Sequence, residues 1–231
     1  MRRLLIGLLA VPAAAIAYLV FLRRPVLNWG TRPDEAARRL PGDELLEAAD
    51  VVATRGITID APAAAIWPWL IQMGPGRAGA YTYDWIENLF GLNMHSADRI
   101  VPEWQSMQVG DAWQNPSGGA MRIERLEPGR VLAMRSTDGT WVWSFVLVGE
   151  GASTRFLSRN RFLLTGGYLA RLAEMLFIEP GSLVMERKML VGIKTRAERL
   201  DRERREHQAV TTGAEPLAAA RDEKIAEPIV S

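Results

Sequence analysis

The stretch Ser182–Glu206, SLVMERKMLVGIKTRAERLDRERRE, places Leu183, Leu190, Ile193, Ala197 and Leu200 at spacings of 7, 3, 4 and 3. Those spacings draw a single apolar stripe along a 3.6-period helix. Pro180 and Gly181 break the chain just before it, and Ser182 is placed to cap its first turn. Glu198/Arg202 and Asp201/Arg205 form i,i+4 pairs that support its exposed end. So long a helix with one apolar stripe has to lie against another apolar surface, and the strand-like segments before it are the candidates. The sequence therefore predicts a sheet bent around this helix. Gly192 in mid-helix costs about 1 kcal/mol relative to alanine, so it should mark a close approach.

The chain has 231 residues, 48% hydrophobic and 24% charged, which allows one good core. A net charge of +1 gives no field that would favour nucleic acid. The absence of cysteine excludes disulfides, thiolate metal sites and cysteine nucleophiles. His95 and His207 are the only histidines, so no histidine metal cluster is expected, and no cofactor. No catalytic motif occurs, and no residue is assigned as catalytic.

Leu4–Leu22 is nineteen residues without a charge. At about 1.5 Å per residue such a helix just crosses a hydrocarbon layer of about 30 Å. Arg2-Arg3 and Arg23-Arg24 bracket it as snorkelling anchors do. Ala15-Ile16-Ala17 resembles a signal-peptide cleavage site, but Tyr18–Leu22 carries the apolar run past it. The expectation is an uncleaved single-pass membrane anchor over 1–24, with the bilayer as a partner. Arg23, Arg24, Arg32, Arg38 and Arg39 follow it, and the positive-inside rule then leans to a cytoplasmic globular domain.

Residues 25–53 read as a polar connector with a short helix over Asp34–Leu40. The globular domain is expected over 54–207. Thr54–Asp60 alternates as a first strand, and helices follow over Ala63–Met73 and Tyr81–Phe90, with a glycine loop, Gly74–Gly79, between them. Strand character recurs in Arg99–Val101, Met121–Leu126, Val131–Ser136, Trp141–Val148 and Thr154–Leu163, separated by breakers such as Pro128-Gly129 and Asp138-Gly139. Connections this short mean hairpins, hence an antiparallel sheet and an α+β class. Gly167–Phe177 reads as a short amphipathic helix. Residues 208–231 lack sustained periodicity and read as a disordered tail.

This order of elements resembles the START-like helix-grip superfamily, also called SRPBCC, which includes polyketide cyclases and lipid-transfer domains. ITIDAPAAAIWPWLIQMG (Ile57–Gly74) looks like its opening strand and helix. GRAGAYTYDWIENLFG (Gly76–Gly91), HSADRIVPEWQSMQVGD (His95–Asp111) and VMERKMLVGIKTRAE (Val184–Glu198) resemble a membrane-associated bacterial branch of it. The resemblance covers about Ala53–Arg205. It implies a hydrophobic cavity between a curved antiparallel sheet and the long C-terminal helix. It implies no single ligand or reaction.

Trp141, Trp143, Phe145 and Leu147 share one strand face, as an aromatic cavity wall or as ordinary core. Met189 and Ile193 face them from the long helix. Glu186 falls on the apolar stripe, where it either orients a polar ligand head, acts as acid or base, or pairs with an arginine. Arg77 in the glycine loop and Tyr83 after it are placed at the cavity mouth. Arg155, Arg159 and Arg161 share one strand face, which normally means solvent; the alternative is that one of them enters the cavity and pairs with Glu186. Asp84 suits a cap or an ion pair, for example with Arg99. His95, Ser96 and Asp98 form a triad by composition only. The expected function is binding of a hydrophobic or amphipathic small molecule or lipid. The rivals are a polyketide cyclase-like enzyme using Glu186, Asp84 or a tyrosine, and a filled scaffold with no ligand.

Overall fold

The computed structural model describes residues 16–114 and 118–212. Six strands, β1 (Val51–Ile59), β2 (Ala112–Gln114), β3 (Ala120–Glu127), β4 (Val131–Ser136), β5 (Trp141–Glu150) and β6 (Ser153–Phe162), form one sheet. Its order is β1-β6-β5-β4-β3-β2, with every neighbouring pair antiparallel. Strands β2 to β6 follow one another as hairpin partners, and β1 closes onto β6 by pairing Val51 with Phe162. A bulge between Ile123 and Arg125 adds bend and twist. The helices are α1 (Arg23–Leu27), α2 (Ala63–Ile71), α3 (Asp84–Leu89), α4 (Tyr168–Ala173) and α5 (Glu179–Thr212). α5 packs against α2 and β1. This is the α+β helix-grip arrangement of a curved antiparallel sheet around a long C-terminal helix.

Alternation decides what the sheet gives the core. Phe145 and Leu147 of β5, Phe156 of β6 and Leu132 and Met134 of β4 point to the helix side and are buried. Ile66, Trp69 and Leu70 of α2 and Met189, Leu190, Ile193 and Ala197 of α5 complete the same cluster. A Cβ added at Gly192 would lie 2.8 Å from the Tyr81 carbonyl oxygen, so the helix runs against the chain there as its glycine predicts. Tyr81 is buried in a left-handed conformation, φ +58°. Its hydroxyl donates to the Trp69 carbonyl at 2.9 Å and accepts from Gln72 Nε2 at 3.1 Å, and Arg196 lies 4.8 Å from its ring centre.

Several expected boundaries shift. Pro180 and Gly181 do not break the chain but lie inside α5, directly after a π-helical turn. Ser182 is no cap; its hydroxyl donates to the Glu179 carbonyl at 2.8 Å. A π-helical turn, Glu174–Ile178, joins α4 to α5 without a break. α5 also runs to Thr212, into the segment expected to be a tail, of which 213–231 lie outside the described residues. Arg99–Val101 is not a strand, because the Gln72 side chain takes its backbone groups: Nε2 donates to the Arg99 carbonyl and Oε1 accepts from the Val101 amide. Asp34–Leu40 forms turns rather than a helix. The carbonyls of Glu35, Ala36 and Arg38 are spent on the Arg159 guanidinium instead.

That last contact corrects the solvent reading of the arginines. Residues 30–47 cover the outer face of β1 and β6. There Arg155 pairs with Glu35 through two hydrogen bonds of 2.8 and 2.7 Å. Arg159 pairs with Asp43 at 2.7 Å, and Arg161 donates to the Leu46 carbonyl at 2.8 Å. None of the three reaches Glu186.

The expected anchor is corrected as well. Residues 1–15 lie outside the described residues. Tyr18–Leu22 forms a π-helical turn leading into α1. The Tyr18 hydroxyl and the Arg23 guanidinium both donate to the Glu179 carboxylate, at 3.0 Å and 2.8 Å. Among the described residues no helix is long and apolar enough to cross a membrane. The single-pass membrane localisation is withdrawn on that finding.

Candidate functional site

Between the concave sheet and α5 lies a cavity of ≈ 380 Å³. It runs from one sheet edge to the other, since Arg55 of β1 and Trp113 of β2 both line it. Trp141, Trp143 and Phe162 form an aromatic ledge across its middle. Trp141 stacks on Trp143 with ring centres 5.6 Å apart and on Phe162 at 5.5 Å, the planes within 21° and 17° of parallel. Met185, Glu186 and Met189 of α5 line the cavity as well, as do Gly74, Ala80 and Glu87.

At the β1 end the polar groups satisfy one another. Glu186 is 6% exposed and pairs with Arg55, 1% exposed. It also accepts from the Ser158 hydroxyl and from Asn160 Nδ2 at 3.1 Å. Arg55 donates onward to Ser182 Oγ at 2.9 Å. The indole N–H of Trp143 donates to Ser158 Oγ at 2.9 Å, and that of Trp141 to Asn160 Oδ1 at 2.8 Å. The aromatic ledge is thus pinned by the same network that holds the carboxylate. Burial pushes the Glu186 carboxyl up, and the Arg55 charge and the Ser158 hydrogen bond recover only part of that.

On the part of the wall that carries Thr82, Glu87 and Trp113 the polar groups are not satisfied. Glu87 is 9% exposed and Trp113 is 8% exposed. Glu87 Oε2, Thr82 Oγ1 and Trp113 Nε1 are buried without a hydrogen-bond partner. Thr82 lies against the Glu87 carboxyl, close enough to favour its charged form. Burial raises the Glu87 carboxyl above its ordinary value, the Asp84 charge adds to the rise, and Thr82 opposes it. An acid raised in the folded state binds more protons there than in the unfolded chain. Stability from this group therefore falls as pH rises from about 4.5 through the folded value. Glu87→Gln should melt at a higher temperature than wild type at pH 8 and at the same temperature at pH 4. Equal melting shifts at both pH values would show that the buried charge is not the cause.

Of the residues expected at the site, Trp141, Trp143, Glu186 and Met189 come together on the cavity wall. Three do not. Ile193 is fully buried in the core beneath. Arg77 turns away and donates to the carbonyls of Ile71 and Trp104, at 3.0 and 2.6 Å, bracing the glycine loop. Tyr83 is 36% exposed, with Lys188 5.6 Å from its ring centre. Asp84 caps Ser96, accepting from its amide and hydroxyl, rather than pairing with Arg99. Asp98 binds Arg196, and His95 is exposed, so no triad assembles. Arg55, Ser158 and Asn160 were missed, although strand parity carries the signal. The alternation that sends Arg155, Arg159 and Arg161 to one face sends Ser158 and Asn160 to the other. Arg55 is the one charge among Ala53, Ile57 and Ile59 on the inner face of β1.

No family model matches the chain, and no curated protein matches it. Among solved structures it is similar to DynU16, a protein of the dynemicin biosynthetic locus, at 16% identity and a TM-score of 0.38. That match covers 63% of this chain and 48% of DynU16, so the chain spans about half the length of that protein. It is similar to KanY at 12% identity and a TM-score of 0.43, over 64% of this chain and 97% of KanY. It is also similar to the Polyketide_cyc-like protein Cgl2372 from Corynebacterium glutamicum, at 15% identity and a TM-score of 0.31, over 71% and 95% of the two chains. At such identities and scores no residue role, ligand or reaction is carried over.

Proposed function

We propose that this chain is a helix-grip domain that binds a hydrophobic or amphipathic small molecule between its sheet and α5. The cavity itself carries the reading. Trp141, Trp143, Met185 and Met189 are bulky and line one cavity, yet ≈ 380 Å³ stays open between them. A scaffold domain would be expected to close that space, since interiors pack to crystal-like density. The volume lies in the range of small-molecule pockets, and aromatic walls with a few placed polar groups are what such pockets use.

Glu186 supports binding better than chemistry, because Arg55, Ser158 and Asn160 already occupy its oxygens. One observation favours a second reading, a polyketide cyclase-like enzyme: Glu87 is a buried carboxyl on the cavity wall with an oxygen free.

Equilibrium dialysis with fluorene, a rigid apolar tricycle, tests the proposal. The wild type should bind it saturably at one site. Met185→Trp fills the cavity from α5 and should weaken binding by about a hundredfold, equivalent to about 2.7 kcal/mol. Met185 is only partly buried, so the fold should survive, with overpacking costing about 1–3 kcal/mol. Unsaturable uptake, or equal affinity in the folded variant, would remove this site from consideration.

A further inference from the structure

We propose that Glu87, Thr82 and Trp113 form a subsite for an uncharged acceptor oxygen on the ligand, a ketone or ester carbonyl. This rests on the ligand-binding reading above and adds which part of the cavity wall holds the polar group and what that group is. Among the described residues eight buried side-chain polar atoms lack a hydrogen-bond partner, and three of them belong to residues lining this one cavity. Folded proteins seldom leave such groups unpaired, and each that remains calls for a partner the chain does not supply. The β1 end makes no such demand, because its carboxylate, guanidinium, amide and hydroxyls bind each other.

The donor inventory decides the chemistry. An indole N–H can only donate, so whatever meets Trp113 Nε1 must accept. That excludes an ammonium at this position. A threonine hydroxyl can donate as well. Burial and the neighbouring Asp84 raise the Glu87 carboxyl, and in its protonated form it is a third donor. A carboxylate or phosphate would be held in an apolar enclosure beside Glu87 and Asp84, with the nearest lining arginine, Arg55, already committed to Glu186 at the far edge of the sheet. An uncharged oxygen meets none of these penalties. The near-parallel rings of Trp141, Trp143 and Phe162 suit a flat body attached to it.

Fluorenone and fluorene share one skeleton and differ in a single carbonyl. Competition between them in equilibrium dialysis should show wild type preferring fluorenone by about tenfold or more, since a site built to hydrogen-bond rejects the analogue that cannot. Glu87→Leu and Trp113→Phe should each reduce that preference severalfold, read as the ratio of the two affinities within each variant. Glu87→Gln keeps a donor and should retain the preference. Equal affinity of the two probes for wild type would overturn the subsite while leaving the cavity as a binding site, and needs no variant to fold. A preference that survives Glu87→Leu and Trp113→Phe would place the carbonyl elsewhere and overturn it too. Binding of neither probe would bring down the ligand-binding reading and the subsite with it.

Discussion

Replacing Glu186 with alanine is expected to cost about 3–5 kcal/mol of folding stability, read from urea unfolding. The variant leaves the Arg55 guanidinium, 1% exposed, without its counter-charge. Its remaining partners are Ser182 Oγ and the Val26 carbonyl, the latter at a long 3.4 Å. Two more groups lose an acceptor, the Ser158 hydroxyl and the Asn160 amide. Replacing both charges together, Arg55→Met with Glu186→Leu, should recover most of the loss, because desolvation of the pair and its attraction largely cancel. Trp141 and Trp143 lean on Asn160 and Ser158, so the single variant should also shift tryptophan emission before unfolding. A loss below about 1 kcal/mol would mean that Glu186 is neutral in the fold and Arg55 is solvated.

Glu35→Ala should be nearly as damaging, by about 3–5 kcal/mol at neutral pH, although it lies on the opposite face of the sheet. It removes both oxygens of a two-pronged contact to Arg155, and the acceptor of the Arg32 amide at 2.7 Å. Burial alone would raise the Glu35 carboxyl, but the hydrogen bonds from Arg155 and the Arg32 amide and the Arg155 charge outweigh it and hold it low. A carboxyl lowered in the folded state contributes stability that is present above about 4.5 and is lost as pH falls through the folded value. The gap between wild type and variant should therefore narrow toward pH 3. A gap constant from pH 7 to pH 3 would show that loss of packing, not charge, is responsible.

The two pairs also show what the sequence could disclose. The helix stripe and the hairpin spacings locate α5 and the order of β3 to β6, because period and turn chemistry are local properties. Gly192 discloses a close approach because a mid-helix glycine has a measurable penalty, but its partner, the Tyr81 carbonyl, depends on a loop folded in a left-handed conformation. β2 was missed and Arg99–Val101 wrongly read as strand for one reason: three residues of alternation are too few to distinguish a ladder from backbone satisfied by a side chain, here Gln72. The arginines of β6 were assigned to the correct common face but to the wrong surroundings. Parity fixes a side, whereas what covers that side depends on residues more than a hundred positions earlier, Glu35 and Asp43. The anchor was read from an uncharged run and the arginines that bracket it, and the described part of that run packs Tyr18 onto Glu179.

The pairing of Val51 with Phe162 has a consequence in time. During synthesis β1 emerges more than a hundred residues before β6, its strand partner, and Arg55 more than a hundred before Glu186. The hairpins β3–β4, β4–β5 and β5–β6 can form as they appear, since their contacts are local. The first strand has to wait with a charged residue among its apolar ones. Arg55 keeps that waiting segment from being a uniformly apolar edge, the kind that recruits strands from other chains. The residue that later holds the cavity's carboxylate is, until then, the guard on an unpaired strand.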